Sequence, residues 1–387
     1  MRVLHCCLAA FYIDDYGYQE NILPKMHRLL GHEVAIIAST ETYVKKSELS
    51  YVDPASYETM DGIPITRIPY KKLIPSFLAP KLRLYENLSY HLKAFDPDII
   101  FLHDCQFLSI KEVVDYLNGH PGVKVYVDGH TDFINSARNW FSKYILHGII
   151  YKWCAKKIER YALKFYGVLP ARVEFFTVMY GIPKTKVDLL VCGADDTLLD
   201  FERKPGIRID VRKRVGINLD DFVVITGGKI DRRKNIHKLM MAVSEINNRK
   251  IKLIVFGVPN KDMEPIIKSL SVHANIKSVG WISSDKVYDY LFAADLGFFP
   301  GTHSVLWEQA VGSGVPCVFK KWEGFQHINV GGNCRFIEEA SVQNIKKELL
   351  TIYENRNLYD EMRTVSETIG VERFSYYEIA RKAISES

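Results

Sequence analysis

The sequence predicts an α/β protein of two doubly wound domains, each a parallel sheet wrapped by helices. Three observations carry this expectation. Short apolar runs such as Val3–Phe11, Glu33–Ser39 and Val223–Thr226 alternate with segments of helical spacing. The runs end in glycine or polar residues, as buried parallel strands do at the edge where open sheets bind ligands. The chain has 387 residues, too many for one compact core.

Composition narrows the classes. Hydrophobic residues make up 47% and charged residues 25%, an ordinary globular balance. The net charge of +5 is mild, basic residues are mixed with acids, and no nucleic-acid-binding signature occurs, so no nucleic-acid partner is expected. The seven cysteines form no C-x-x-C pair and sit mostly in apolar runs. They read as buried free thiols of a reducing compartment, without structural zinc. No apolar stretch reaches the length of a membrane span, and the opening MRVLHCCLAAFYIDD runs directly into the fold pattern. The expected location is cytoplasmic, either free or peripheral on the inner face of the plasma membrane.

In the first half, Val3–Phe11 is a buried strand, Asn21–Leu30 a helix closed by Gly31, and Glu33–Ser39 the next strand. This β–turn–α–β unit opens a doubly wound domain. Gly17 lies beyond the first strand, where such sheets place ligands. No G-x-G-x-x-G surrounds it, which disfavours a nicotinamide-type site. Ile63–Ile68 is a strand, Lys81–Ala94 helical, IIFLHD a strand ending at His103-Asp104, and Lys111–Leu117 a helix. Val123–Val127 is a strand leading into DGHTD. There His130 has two readings: a functional ring oriented by Asp128 and Asp132, or a solvated loop residue.

Arg138–Pro170 interleaves seven cations with eight aromatics and holds a single acid, Glu159. It reads either as a helix lying on an anionic membrane through Arg138–Lys164, or as a long helix with its aromatics in the core. Lys186–Cys192 is a strand, and the domain boundary is placed near residues 197–205. This gives domains at 1–200 and 201–370, with a terminal segment at 371–387.

In the second half, Gly227 and Gly228 break the chain after Val223–Thr226, and Lys229, Arg232, Arg233 and Lys234 precede Asn235, a good helix cap. Ile236, Leu239, Met240 and Val243 then fall at helical spacing. Such a glycine turn is a diphosphate site or a solvated basic turn. Strands follow at Lys252–Gly257, Ile276–Trp281, Asp295–Phe299 and Val315–Phe319. Helices are expected at Met263–Leu270, Asp285–Ala294, Val305–Val311, Val342–Asn355, Leu358–Thr368 and Tyr376–Ile384. In PGTHSVLWEQAVGSGVP, Ser304 is placed to cap the Val305–Val311 helix. Glu308 is either a ribose-binding carboxylate or a surface residue, and His303 a site residue or a loop filler.

Four segments together resemble the retaining glycosyltransferases of family four, which have the GT-B fold: YGYQENILPKMHRLLGHEV, VEFFTVMYGIPKTKVDLLVCGADDTLL, GGKIDRRKN and HSVLWEQAVGSGVP. The resemblance implies two Rossmann-like domains facing a central cleft, the nucleotide sugar on the C-terminal one and the acceptor mainly on the N-terminal one. It also implies a C-terminal helix that packs back toward the N-terminal domain. The diphosphate motif of the family falls on Gly228, Lys229 and Lys234, with Lys229 where the family has arginine. Its ribose-binding glutamate falls on Glu308, and Pro300 stands where an earlier glutamate is usual. His130 matches the active-site histidine.

The implied activity is retaining transfer of a hexose from a UDP- or GDP-sugar to a glycan or lipid-linked acceptor, of the bacterial surface-polysaccharide type, without a metal ion. The donor would meet Gly17, Gly227, Gly228, Lys229, Lys234, His303, Ser304 and Glu308. The acceptor would meet Asp128, His130 and Asp132, and catalysis would rest on His130, Lys234 and Glu308. The rivals are a catalytically inactive GT-B subunit that scaffolds a glycan-assembly complex, and a GT-B nucleotide-sugar epimerase.

Overall fold

The computed structural model describes residues 1–45, 48–133 and 136–385. Packing divides the chain into two units, residues 1–191 with 379–387, and residues 192–378.

The first unit is built on eight strands in the spatial order Val187–Leu189, Ala162–Gly167, Lys124–Gly129, Ile99–His103, Arg2–Cys7, Glu33–Ser39, Pro64–Ile68 and Ala55–Glu58. All neighbours pair in parallel except the last two, which are antiparallel. Ile99–His103 is buried throughout, and Arg2–Cys7 and Lys124–Gly129 at every residue but the first. This explains why they read as unbroken apolar runs rather than as alternation. Leu4, Ile100, Leu102, Val125, Val127, Phe165 and Phe175 lie in their shared core. The winding reverses at Arg2–Cys7, between Glu33–Ser39 on one side and Ile99–His103 on the other. Doubly wound sheets bind ligands beyond the strand ends at such a switch point.

Residues 379–387 group with this unit, as the expected return of the C-terminal helix Tyr376–Ala383 requires. The Tyr126 hydroxyl donates to the Ile384 carbonyl at 3.2 Å.

The second unit has six strands, all parallel, in the order Ile276–Gly280, Ile251–Phe256, Phe222–Gly227, Leu296–Phe299, Cys317–Lys320 and Cys334–Ile337. Its core gathers Val224, Leu253, Leu296, Phe298 and Val318 with Leu239 and Met240 of the helix Ile236–Glu245. The switch point lies between Phe222–Gly227 and Leu296–Phe299. Two glycines let the chain close up there. A Cβ on Gly257 (φ +117°) would lie 1.8 Å from the Gly228 carbonyl oxygen, and one on Gly301 would lie 2.3 Å from Lys234 Cα. No larger side chain fits either position without backbone movement.

Several expectations are corrected. Lys81–Ala94 is two short helices, Ala79–Leu82 and Leu88–Phe95, because Arg83 and Asn87 take positive φ and Tyr85 bridges to Tyr70. The basic aromatic stretch is not one helix. Helical segments Phe141–Tyr151 and Lys152–Glu159 are followed by the strand Ala162–Gly167, in which Lys164 pairs with Asp188 at 2.8 Å. The antiparallel pair Glu41–Lys45 and Glu48–Tyr51, and the edge strands Ala55–Glu58 and Cys334–Ile337, are additional. The division at 191/192 precedes residue 200. Ala194 already belongs to the second unit, where its N–H and carbonyl bond Phe374 and Tyr376.

Six of the seven cysteines are buried, Cys192 is half-buried, and all seven are free thiols. Among the described residues no helix is long and apolar enough to cross a membrane.

Candidate active site

In the second unit two loops meet at the switch point. The first leaves Gly227, turns through Gly228 (φ +103°), and forms a short 3-10 turn at Arg232–Lys234. Asp231 caps that turn, its Oδ1 accepting from Arg233 N at 2.9 Å and Lys234 N at 3.2 Å. An acid therefore already fills the backbone donors that an anion would otherwise use. Asn235 does not cap the next helix through its side chain. It sits at φ +52°, and its amide donates to the Pro300 carbonyl at 3.2 Å.

The cations of this loop separate into two kinds. Arg232 pairs with Asp262 at 3.0 Å and Arg233 with Asp231 at 2.7 Å. Lys229 is exposed and has no ion pair among the described residues. Lys234 is half-buried and donates to the carbonyls of Thr302 and His303 at 2.8 and 2.9 Å. An ammonium has three N–H groups, so one remains for a ligand. Burial lowers its pKa to about 8, against a smaller upward pull from Asp231.

The second loop, Pro300–Ser304, leads into the helix Leu306–Gly312. Ser304 does not cap this helix with its hydroxyl; its backbone carbonyl accepts from Trp307 N at 2.9 Å. Glu308 is fully buried, not a surface residue. His303 Nε2 lies 2.8 and 3.0 Å from its two oxygens, and His327 Nε2 lies 3.0 Å from Oε1. Burial alone would raise this carboxyl, but the two histidines reverse the effect and hold it at about 2. A ribose diol would exchange with these histidine bonds rather than enter an empty acceptor.

In the first unit Asp128, at the end of Lys124–Gly129, is fully buried. His130 Nε2 lies 3.3 Å from Asp128 Oδ1 and 3.7 Å from Glu20 Oε1. Burial would lower the His130 pKa, yet Glu20 and Asp128 outweigh it and raise it to about 9. His130 is thus a held imidazolium and not a freely solvated ring. Asp132 is buried and accepts from Arg172 at 3.3 Å. Gly17 is half-buried in the turn before the helix Gln19–Leu29, two residues ahead of its start. The sequence-expected residues therefore form two groups: Gly17, Asp128, His130 and Asp132 in the first unit, and the remainder in the second.

His103, Asp128 and His130 bring ligand-type atoms within 4.8 Å of one another. Within the trio His103 Nδ1 and Asp128 Oδ2 lie 2.8 Å apart, a hydrogen bond.

His327 was not signalled by the sequence, since it lies 19 residues beyond Glu308 outside any motif. His5 had a signal: a polar residue inside the buried strand RVLHCC requires a buried partner.

Two parallel α/β units with polar groups at their switch points define a GT-B fold, and comparison with solved structures agrees. Anabaena HepE, crystallised with UDP and glucose, is 15% identical with a TM-score of 0.64, over 98% of this chain and 97% of that one. WaaG, a glycosyltransferase involved in lipopolysaccharide biosynthesis, is 15% identical with a TM-score of 0.65, over 98% of both chains. Residues 208–367 match the family model of glycosyl transferases group 1, so the second unit carries that family's domain. TuaC of Bacillus subtilis, named for teichuronic acid biosynthesis as a glycosyltransferase, is 24% identical across 85% of this chain and 79% of its own. The whole chain thus has the GT-B fold, and its second unit matches the glycosyl transferases group 1 domain.

Glu308→Gln keeps one oxygen that both rings can reach at the Oε1 position. It loses the carboxylate charge, however, and sets an amide NH2 against His303 Nε2 where Oε2 stood. The substitution is expected to destabilise the second unit by about 1–3 kcal/mol. The Glu308 contribution is fully present above pH 4.5 and is lost as the pH falls through about 2. Urea unfolding at neutral pH checks this, and an unchanged midpoint contradicts it.

Proposed function

We propose that the chain moves a hexose from a UDP- or GDP-sugar to a glycan or lipid-linked acceptor, with retention and without a metal ion, in surface polysaccharide synthesis. The observation that carries this reading is the meeting of Lys234, His303 and Glu308 at the switch point of the second unit. There a cation with a spare donor stands beside a loop whose histidine is anchored on a buried carboxylate. The names of TuaC and WaaG, and the UDP found in HepE, support the same class of chemistry.

In this reading Lys229 and Lys234 neutralise charge that builds on the leaving diphosphate, the largest electrostatic contribution in such reactions. Gly227 and Gly228 allow close backbone approach, Ser304 offers a hydroxyl, and Glu308 with its histidines holds the ribose. Gly17 is the donor-side glycine of this reading, in the turn before the helix Gln19–Leu29. His130, protonated between Glu20 and Asp128, orients the acceptor or the transferred sugar with Asp132. One observation favours the second reading, an inactive scaffold subunit: both Glu308 oxygens are already engaged.

Exposure of Trp140, Tyr144, Ile149 and Trp153 beside cations supports the lipid-linked form of the acceptor. Lys143 Nζ lies 5.5 Å from the Tyr144 ring centroid and Lys157 Nζ 5.4 Å from that of Trp153. Exposed aromatics flanked by lysines suit an anionic headgroup layer.

Lys234→Ala is expected to lower transfer by about 10²–10³-fold, the range for losing one preorganised donor. In the intact protein kcat/KM should fall as the pH rises through about 8, where the Lys234 ammonium loses its proton. Lys234→Arg should move that basic limb upward. Near-normal transfer by Lys234→Ala, or an unmoved limb in Lys234→Arg, refutes the assignment. For the membrane surface, vesicles of anionic lipid should float the protein and release a variant with Lys143, Lys152 and Lys157 reversed to Glu. Equal flotation of both removes the lipid reading.

A further inference from the structure

The interior of the first unit holds a row of ionisable side chains that the reading above does not use. His5 comes from Arg2–Cys7, His27 from the helix Gln19–Leu29, and His103 from Ile99–His103. All three are fully buried, as is Asp128.

Their contacts form one unbroken line. Asp128 Oδ2 to His103 Nδ1 is 2.8 Å, His103 Nε2 to His5 Nδ1 is 2.9 Å, and His5 Nε2 to His27 Nδ1 is 2.9 Å. His27 Nε2 to the Ala380 carbonyl oxygen is 3.0 Å. Every ring nitrogen of the three histidines is therefore in a hydrogen bond.

Proton counting gives the consequence. Each hydrogen bond needs one proton, so the line needs four. A carboxylate and a carbonyl only accept, and a neutral imidazole brings one N–H. Three neutral rings supply three protons and leave one buried contact between two bare lone pairs, which costs free energy without compensation. The line closes only with one proton more.

We propose that the row holds this fourth proton as an imidazolium at His103 against the Asp128 carboxylate, with His5 and His27 as Nε2–H tautomers, and that His103 is a positioning residue that sets the charge Asp128 presents to His130. The assignment is read from the Ala380 end. The carbonyl accepts, so His27 Nε2 carries hydrogen and its Nδ1 accepts from His5 Nε2. His5 Nδ1 then accepts from His103 Nε2, and His103 Nδ1 donates to Asp128.

Two hops shift the charge to the other end. The N–H bond at His103 Nε2 breaks as one forms at His5 Nδ1. The bond at His5 Nε2 then breaks as one forms at His27 Nδ1. The proton count stays at four, and no heavy atom needs to move between rings whose centroids are 5.2 and 5.1 Å apart. Burial lowers the pKa of His5, and lowers that of His27 to about 3, so the charge rests at the carboxylate end.

Asp128 Oδ2 also accepts from Gln19 at 3.2 Å, and Oδ1 from Asp104 N at 3.2 Å while facing His130 at 3.3 Å. The other charged or titratable neighbours are Glu20 and Arg172 at His130, Asp104 with Arg83 behind it, Cys7 beside Asp128, and His32 at the His27 end. With His103 charged, the carboxylate lies between two cations. Losing the His103 charge leaves His130 as the sole imidazolium on Asp128 and strengthens its hold on its own proton.

The effect on sugar transfer rests on the reading of His130 as an acceptor-side residue; the protonation state does not. The test is therefore made on the full chain without donor or acceptor. Histidine-selective 15N labelling and long-range 15N–1H correlation at neutral pH, assigned with single His→Gln variants, should find four ring protons on His5, His27 and His103. Both nitrogens of His103 should be protonated, with Nε2–H alone on the others. Three ring protons, or a neutral His103, overturn the proposal. In His103→Gln, the His130 titration followed by its Cε1–H signal should move above about 9. An unchanged or lowered value overturns the positioning role, which a purely structural histidine would not show. Should that variant fail to fold, the proton count in the unaltered protein still decides.

Discussion

The arrangement of the second unit depends on the Lys234 ammonium. Its two bonds to the carbonyls of Thr302 and His303 tie the glycine loop to the loop after Leu296–Phe299. Thr302 N to Arg233 O at 3.1 Å and Asn235 to Pro300 O at 3.2 Å run across the same seam. Gly301 makes the approach sterically possible. With the loop pinned, His303 stands over Glu308, and His327 completes the partnership from another loop. Hydrogen bonds to a charged group contribute about 1.5–3 kcal/mol each. They offset the cost of half-burying an ammonium, which appears as its lowered pKa. A cation brought near its titration point by burial is also one that a bound diphosphate would re-protonate fully.

Both units solve the same electrostatic problem in the same way. Each carries a fully buried carboxylate by its switch point, Asp128 in the first and Glu308 in the second, and each meets it with imidazole rather than with lysine or arginine. A buried charge left unpaired is strongly destabilising, so these histidines are structural before they are anything else. Their chemistry nonetheless differs. Glu308 ends in two rings from separate loops, whereas Asp128 starts a line of rings that crosses the interior to the C-terminal segment.

Much of this was legible in the sequence because parallel strands buried on both faces announce themselves. Glu33–Ser39 and Ile99–His103 stand at the bounds their apolar runs imply, and the glycine turn and the WEQ helix were found as motifs. Elements whose stability comes from neighbours were hidden. Ala162–Gly167 carries lysine and aromatic residues that continue the helical pattern before it, and only pairing with Lys124–Gly129 and Val187–Leu189 makes it a strand. The break in Lys81–Ala94 depends on two residues at positive φ, which local propensity does not foresee. In the sites, two separate local motifs, GGKIDRRKN and HSVLWEQAVGSGVP, and the resemblance they carry singled out Lys234 and Glu308. His5, His27, His103 and His327 act through partners up to 353 residues away, and no local window contains both members of those pairs.

The central claim is that the second unit binds and activates a nucleotide sugar. Incubating the purified full chain with a panel of UDP- and GDP-sugars, and following release of free sugar by NMR, tests it most directly. The account predicts slow hydrolysis of at least one donor, with the sugar first appearing in the anomeric form it had in the donor. Binding of a donor with no turnover would contradict an enzyme and leave the scaffold subunit; inverted sugar would contradict the retaining assignment.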